Sequence, residues 1–306
     1  MFNIAKKTLK DTPAFYDTLM AARLLRSQLK SVLRPNDWSI GPVELATNPE
    51  KYILCHWSIS DNFGDAASPL VVRMLSGREV VPLSQCLNIR GLPSYSVVGS
   101  VLQFQGTSRT QVWGSGFISA ERRFTWKPSK VHAVRGPLTR ARCLAQGVDC
   151  PPVYGDPAVF LFDSFTDMPR NASYKVGIIP HYADSDHPRV QQFAEHGGVK
   201  LIDVMQSPSQ VAKEVLECEV VISSSLHGLI LADSLGIPNR WLGVSDNVLK
   251  GGFKFQDYFA SVRRDEPLPL GVDDLTISKA VKEAHLTHTP FSRDLLLEAC
   301  PFRRCR

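Results

Sequence analysis

The sequence predicts an α/β fold built as two Rossmann-like domains facing each other across a cleft. Short apolar runs alternate with helix-period segments, the signature of βα units and parallel sheets. The alternation is interrupted at the polar stretch "DSFTDMPRNAS" (163–173), which leaves halves of comparable size on either side. Polar clusters recur immediately after the strands of both halves, where open α/β sheets bind ligands.

The elements follow in order. "YILCHW" (52–57) reads as a strand, and the polar loop "SISDNFGDAA" follows it. A helix comes next, with Ser68 as N-cap, Pro69 in the first turn and Gly77 after its end. "YSVVGS" and "TQVWGSGF" are further strands. "VHAV" (131–134) is another and leads through Arg135-Gly136 into a helix opened by Pro137 and closed by Gly147. "PPVYGDPAVFL" closes the first half. The second half opens with the strand "YKVGIIP", followed by a loop carrying His181, Tyr182 and Asp184. "VKLIDV" and "EVVIS" are strands separated by the helix "SPSQVAKEVLEC", and "NRWL" (239–242) is a short strand. The expected organisation is an N-terminal arm (1–34), a first domain (35–165), a second domain (166–290) and a C-terminal tail (291–306).

At 43 % hydrophobic and 21 % charged residues, the chain has a soluble globular composition with material for sizeable cores. No run approaches the ~18 consecutive apolar residues of a membrane-spanning helix, and the N-terminus lacks the pattern of a secretory signal. The seven cysteines are odd in number and irregularly spaced, which predicts reduced thiols in a cytoplasmic protein. The whole net charge of +5 resides in residues 1–34, where Lys6, Lys7, Lys10, Arg23, Arg26, Lys30 and Arg34 stand against Asp11 and Asp17. Arg23, Arg26, Lys30 and Arg34 share one helical face and Leu25, Leu29 and Val32 another. The arm reads either as a helix on an anionic membrane surface or as a peripheral helix of its own domain. The body has no basic stripe with interleaved aromatics, which argues against nucleic acid.

The polar clusters are Asp61-Asn62-Phe63-Gly64-Asp65, Gly114-Ser115-Gly116, Arg135, His181-Tyr182 and Ser223 to His227. In "SSSLHG", Ser224, Ser225, Leu226, His227 and Gly228 stand where a strand joins a helix. Unpaired N–H groups and the helix dipole favour an anion there. Serine hydroxyls add donors, and His227 offers a hydrogen bond or a proton. The same residues also read as a helix cap and a satisfied first-turn histidine. Arg135 is suited to gripping a carboxylate or phosphate bidentately, or to pairing with a local acid. Lys254 in "GGFKFQDYF" is a second cation or a solvated lysine. Asp61 and Asp65 suit a polyhydroxyl ligand, with one of them as a base, or serve as turn and cap residues. There is no P-loop, HExxH or GxSxG, and no metal-ligand spacing.

Taken in order, "DNFGDAASPL", "VWGSGF", "VRGPLT", "VYGDPA", "IIPHYAD", "VISSSLHGLILADSLGIPNRWL" and "FKFQDYF" resemble the polysaccharide pyruvyltransferases. The likeness covers about residues 50–262 and is nearest to the bacterial exopolysaccharide ketal-pyruvate transferases. It implies a fold like the GT-B glycosyltransferases, with the active site between the two domains. It also implies phosphoenolpyruvate as donor substrate, no cofactor, and a glycolipid or oligosaccharide acceptor at the cytoplasmic membrane face.

On that resemblance Arg135, His181, Ser224, Ser225, Leu226, His227, Gly228 and Lys254 are expected at the donor. Asp61, Asn62, Gly64, Asp65, Gly114, Ser115 and Tyr182 are expected at the acceptor. His227, Arg135 and Asp61 or Asp65 are the expected catalytic groups. Ser225 stands where some branches of the family have Arg. The alternatives are a glycosyltransferase of the same fold using a nucleotide sugar, for which the helix after the serines offers only Asp233, and a non-catalytic polysaccharide-binding subunit.

Overall fold

The computed structural model describes residues 40–56, 62–86, 88, 91–104, 107–245, 252–287 and 291–303. The basic arm and Asp61 lie outside the described residues. The first five-stranded sheet contains β1 (Tyr52–His56), β2 (Glu79–Pro82), β3 (Ser94–Ser96), β4 (Thr110–Trp113) and β5 (Lys130–Ala133), ordered β2-β1-β3-β4-β5. The second contains β6 (Tyr174–Ile179), β7 (Val199–Leu201), β8 (Cys218–Ser223), β9 (Asn239–Gly243) and β10 (Leu270–Gly271), ordered β10-β9-β8-β6-β7. All pairings within both sheets are parallel.

Counted from its own first strand, each sheet has the same order. The first strand lies between the second and the third. The direction of winding therefore reverses between β1 and β3 and again between β6 and β8, the positions at whose carboxyl ends open α/β sheets bind ligands. Ile179 stands opposite Ser223 in the β6–β8 register. The residues that follow, Pro180-His181 and Ser224-Ser225, consequently leave the sheet side by side.

Among the described residues the α-helices are α1 (Pro42–Thr47), α2 (Phe63–Ser76), α3 (Pro137–Ala145), α4 (Ala158–Asp163), α5 (Pro188–Ala194), α6 (Pro208–Leu216), α7 (Leu226–Ser234), α8 (Gly252–Ser261), α9 (Ile277–Glu283) and α10 (Arg293–Glu298). α7 has almost no polar face, and Leu226, Leu229, Ile230, Leu231 and Ala232 are all buried. A helix apolar on every side must be enclosed on every side. α7 packs on β8 and β9 and on α2 and α4 of the first half. Each of its fully buried Leu and Ile side chains contributes roughly 1.5–3 kcal/mol. One apolar cluster accordingly runs from Ile53, Phe63 and Val71 through Leu229 to Trp241 and Phe255.

Two segments cross back to the first half. α8 packs on α3. In the C-terminal segment, the Leu296 carbonyl accepts the Trp113 indole N–H at 2.8 Å, and Phe302 meets Trp113 edge-on.

The structure corrects several element bounds. The helix expected to start at Ser68 starts at Phe63, with Asn62 as N-cap accepting the Gly64 N–H at 2.9 Å. Pro69 therefore lies inside α2, and Ser68 is a buried residue within the helix. Asn62, Gly64 and Asp65 thus belong to a helix N-terminus and not to a loop. The edge strand β2 and the short α4 were not expected, and "YSVVGS" is strand only over Ser94–Ser96. Cys55, Cys86, Cys143, Cys150, Cys218 and Cys300 are free thiols. No described helix is long and apolar enough to cross a membrane.

Candidate active site

The serine run divides its work. Ser223 Oγ lies 3.0 Å from the Ile179 carbonyl and 2.8 Å from that of Ser225, and it accepts the Ser225 N–H at 3.0 Å. Any Cβ at Gly228 would stand 2.4 Å from that hydroxyl, so glycine is required there. Ser224 Oγ accepts the His181 N–H at 2.8 Å and ties the ends of β6 and β8 together. Ser225 is the N-cap of α7 by position, but its side chain makes no capping bond. Two of the three hydroxyls therefore build the strand ends. The third stands at the helix N-terminus, where orphan N–H groups and the dipole favour negative charge.

His227 lies in the first turn of α7, against the first turn of α2. A Cβ on Gly64 would stand 2.1 Å from its Nδ1, so only glycine lets the two helix starts approach this closely. Phe63 meets the imidazole edge-on, with centroids 6.4 Å apart. On the other side, Nε2 lies 3.7 Å from Asp156 Oδ2.

Arg135 is fully buried. Its Nε pairs with Asp257 Oδ2 at 3.0 Å, Nη1 donates to Ser100 Oγ at 2.7 Å and Nη2 to the Phe117 carbonyl at 2.7 Å. Asp257 also accepts the Thr139 N–H at 2.8 Å and the Thr139 hydroxyl at 2.7 Å. Gly136, the N-cap of α3, has no side chain to cap with, so a carboxylate from α8 serves instead. The structure places the expected anion clamp inside the fold, where it holds α8 to α3.

The glycines of "WGSGF" have packing roles. Gly114 has φ 92°, and a Cβ there would stand 2.1 Å from Pro157. One on Gly116 would stand 2.5 Å from the Arg135 guanidinium carbon. Ser115 is buried and donates to the Gly99 carbonyl at 2.8 Å. Neither Gly114 nor Ser115 is presented to a ligand as a free surface group.

Lys254 is a further cation in this region, beside Arg135, Asp65 and Asp184. It sits on α8 with Nζ 5.1 Å from the Phe255 ring centroid. Among the described residues no ion pair is recorded for it. Burial lowers its ammonium to about 8, with Arg135 adding to the effect and Asp65 and Asp184 opposing it. The His181 imidazole is pushed down to about 4 by burial and then by Lys254. His181 is thus neutral at pH 7, and its Nδ1 accepts the Ala183 N–H at 3.3 Å. The Tyr182 ring lies 4.2 Å from it and is 54 % exposed. Asp184 accepts the Ser245 hydroxyl at 2.7 Å through Oδ1, while its buried Oδ2 has no partner among the described residues.

His227, Lys254, His181 and Asp65 therefore belong to one neighbourhood of ionisable groups at the strand ends, beside two helix N-termini. Among the described residues no group of three or more His, Cys, Asp or Glu is placed to hold a metal.

The profile described as "Polysaccharide pyruvyl transferase" matches residues 106–246. A protein of Acanthamoeba polyphaga mimivirus described as uncharacterized is 31 % identical over 225 residues, covering 71 % of this chain and 77 % of that protein. The chain belongs to the polysaccharide pyruvyl transferase family. It is also similar to the "Succinoglycan biosynthesis protein ExoV" of Rhizobium meliloti (strain 1021), 29 % identical over 130 residues. That match covers 42 % of this chain and 39 % of ExoV.

In this pyruvyl transferase family member the matched stretch carries Arg135, Asp156, His181 and His227, while Gly64 and Lys254 lie outside it. Sequence reasoning missed Asp156, Asp257 and Ser100. Two of them stood within the quoted motifs "VYGDPA" and "FKFQDYF". A helix opened by Gly136-Pro137 with no capping side chain was the available signal that an outside acid had to exist.

Proposed function

We propose that this chain transfers the pyruvyl group of phosphoenolpyruvate to two hydroxyls of a sugar in an exopolysaccharide repeat unit, forming a ketal and releasing phosphate. The reading places the donor at the α7 N-terminus between the two Rossmann-like halves, in a GT-B-like arrangement. The observation that carries it is the approach of two helix N-termini at Gly64 and His227 beside Lys254. Fixed dipoles and one cation suit a ligand with a phosphate and a carboxylate.

The chemistry asks for few groups. A proton goes to the methylene carbon of the enol, which becomes a methyl group, and the neighbouring carbon gains oxocarbenium character. One sugar hydroxyl adds there and loses its proton to a base. The C–O bond to phosphate breaks, and the second hydroxyl closes the ketal, releasing its own proton. His227 is the candidate acid, and Ser225, Leu226 and Gly228 are the helix-start residues at the phosphate. Lys254 is the anion ligand, with His181 and Ser224 shaping that end of the site. Asp65, with Asp61 before it, is the candidate base at the acceptor. Tyr182 offers an exposed ring to a sugar face, and Asn62 and Gly64 set the acceptor wall. Arg135 acts through the fold, holding α8 and hence Lys254. The acceptor is proposed to be a glycolipid or oligosaccharide at the inner face of the cytoplasmic membrane, with the basic arm favouring an anionic surface.

A nucleotide-sugar donor is disfavoured by one feature. Asp233, the acid of α7, already accepts from Tyr258 at 2.7 Å and Asn239 at 2.6 Å and is buried, so it offers no ribose ligand. The test is incubation with phosphoenolpyruvate and a soluble oligosaccharide acceptor. Acceptor-dependent phosphate release with a ketal methyl signal by NMR is expected. Nucleoside diphosphate release from a nucleotide sugar, without any phosphate from phosphoenolpyruvate, would overturn the reading. Sugar binding without turnover of either donor would mark a non-catalytic subunit.

A further inference from the structure

Two buried polar atoms near the α7 N-terminus have no hydrogen-bond partner among the described residues: His227 Nε2 and Asp156 Oδ2. They are 3.7 Å apart. A carboxylate oxygen buried without a donor is costly, and so is a buried imidazole nitrogen. Each is what the other lacks.

The surroundings fix both groups. Asp156 has no exposed surface, and its Oδ1 accepts the Ala158 N–H at 3.0 Å, which directs Oδ2 away from α4. Pro157 follows it and is seated against Gly114, where no Cβ fits. The imidazole is bounded by Gly64 along the Nδ1 edge and by Phe63. The His227 side chain is 12 % exposed while Nε2 is buried, so the exposed part belongs to the rest of the ring.

The other ionisable groups on the packed elements have different engagements. Asp163 on α4 holds Arg293 at 2.8 Å. Asp233 on α7 accepts from Tyr258 and Asn239, and Tyr258 of α8 is committed to that bond. Arg240 on β9 pairs with Glu266 and Glu283. Asp65 on α2 and Lys254 on α8 act on one another. Asp156 is the acid whose Oδ2 stands 3.7 Å from His227 Nε2.

We propose that Asp156 is a positioning residue for His227: its Oδ2 accepts the Nε2–H, selects that tautomer, and leaves Nδ1, at the first turn of α2, as the nitrogen that exchanges a proton with the ligand. The separation must close by about 0.8 Å to reach an ordinary N–H···O distance. Hydrogen bonds of this kind commonly tighten when the ligand binds.

Long-range proton–nitrogen NMR on histidine-labelled protein tests the tautomer directly, with His227→Gln assigning the ring signals. Neutral His227 in the wild type is expected to carry its proton on Nε2. Asp156→Asn places an amide donor against Nε2 and should move the neutral ring's proton to Nδ1, so that Nε2 can no longer stay protonated while Nδ1 gives up a proton to the ligand. The kinetic consequence rests on the proposed pyruvyl transfer. In Asp156→Asn, kcat for phosphate release from phosphoenolpyruvate should fall by about 10²–10⁴-fold, with donor KM close to wild type. A wild-type ring protonated on Nδ1, or an unchanged tautomer in a folded Asp156→Asn, overturns the proposal. If that variant fails to fold, the wild-type spectrum alone decides. The stated tautomers without any turnover of phosphoenolpyruvate would leave the pair standing and remove the pyruvyl-transfer reading.

Discussion

Arg135 and Asp257 form an ion pair with no exposed surface, Nε to Oδ2 3.0 Å, joining the end of β5 to α8. The next residue on α8, Tyr258, donates to Asp233 of α7 at 2.7 Å. Two adjacent side chains thus bind α8 to helices of both halves. Lys254 is one turn earlier on the same helix, so the position of its ammonium depends on these buried bonds.

Substitution of either partner should be felt first in stability. Leaving one member of a buried pair unmatched costs about 3–5 kcal/mol. Asp257→Asn should lose an amount of that order in urea unfolding. Arg135→Lys should lose nearly as much, because an ammonium cannot serve Asp257, Ser100 and the Phe117 carbonyl together. If Arg135→Lys unfolds like the wild type but binds donor poorly, Arg135 is a direct ligand and the structural role is wrong.

The two-sheet α/β organisation and the clusters at the strand ends were legible because period and punctuation are local properties. Most strands of both halves and helices α3, α6 and α7 follow from such patterns. The start of α2 was misread because Pro69 and Gly77 frame a plausible shorter helix, while the deciding cap is the Asn62–Gly64 bond. The role of Arg135 was hidden for another reason. Its partner lies 122 residues away, and an exposed and a buried arginine have the same letter. The glycines at 64, 114 and 116 were visible as residues, but what each one admits (His227, Pro157, Arg135) is a fact of tertiary approach.

Gly64→Ala separates packing from chemistry. Alanine suits a helix better than glycine by up to about 1 kcal/mol. Its Cβ, however, would stand 2.1 Å from His227 Nδ1 and 2.9 Å from His227 Cβ, so the ring must move. We expect a folded protein of near wild-type stability whose turnover falls by about 10²-fold or more, the usual cost of misplacing a reacting group by an ångström. Wild-type turnover in Gly64→Ala would show that His227 has no positional role.

Tyr258→Phe removes one hydroxyl and leaves Asp233 Oδ2 without that donor. The loss should be about 1–3 kcal/mol in thermal or urea unfolding. Turnover per folded molecule should change little, since the phenol touches no proposed ligand group. A larger effect on kcat than on stability would place Tyr258 nearer the chemistry.

Lys254 makes donor binding and stability respond to pH in opposite senses. Its ammonium sits at about 8 in the fold against an ordinary 10.5, chiefly through burial. A lysine lowered in this way destabilises the folded protein wherever both states are charged, which is below about pH 8. Between about 8 and 10.5 the folded state sheds the proton first, and stability rises with pH. Above 10.5 both states are neutral and the cost has gone. Lys254→Met should therefore be more stable than the wild type at pH 7, with the difference shrinking from pH 8 upward. An anionic donor needs the charged form, so wild-type affinity should fall above pH 8 by up to about tenfold per unit. Lys254→Met should bind weakly with no such limb, and Lys254→Arg should keep affinity to higher pH, because guanidinium stays charged. Calorimetric titration of phosphoenolpyruvate at pH 7 and 9.5, alongside urea unfolding at both, reads the two effects. Wild-type affinity unchanged between those pH values, or a Lys254→Met less stable than the wild type at pH 7, would remove Lys254 as the half-buried donor-binding cation.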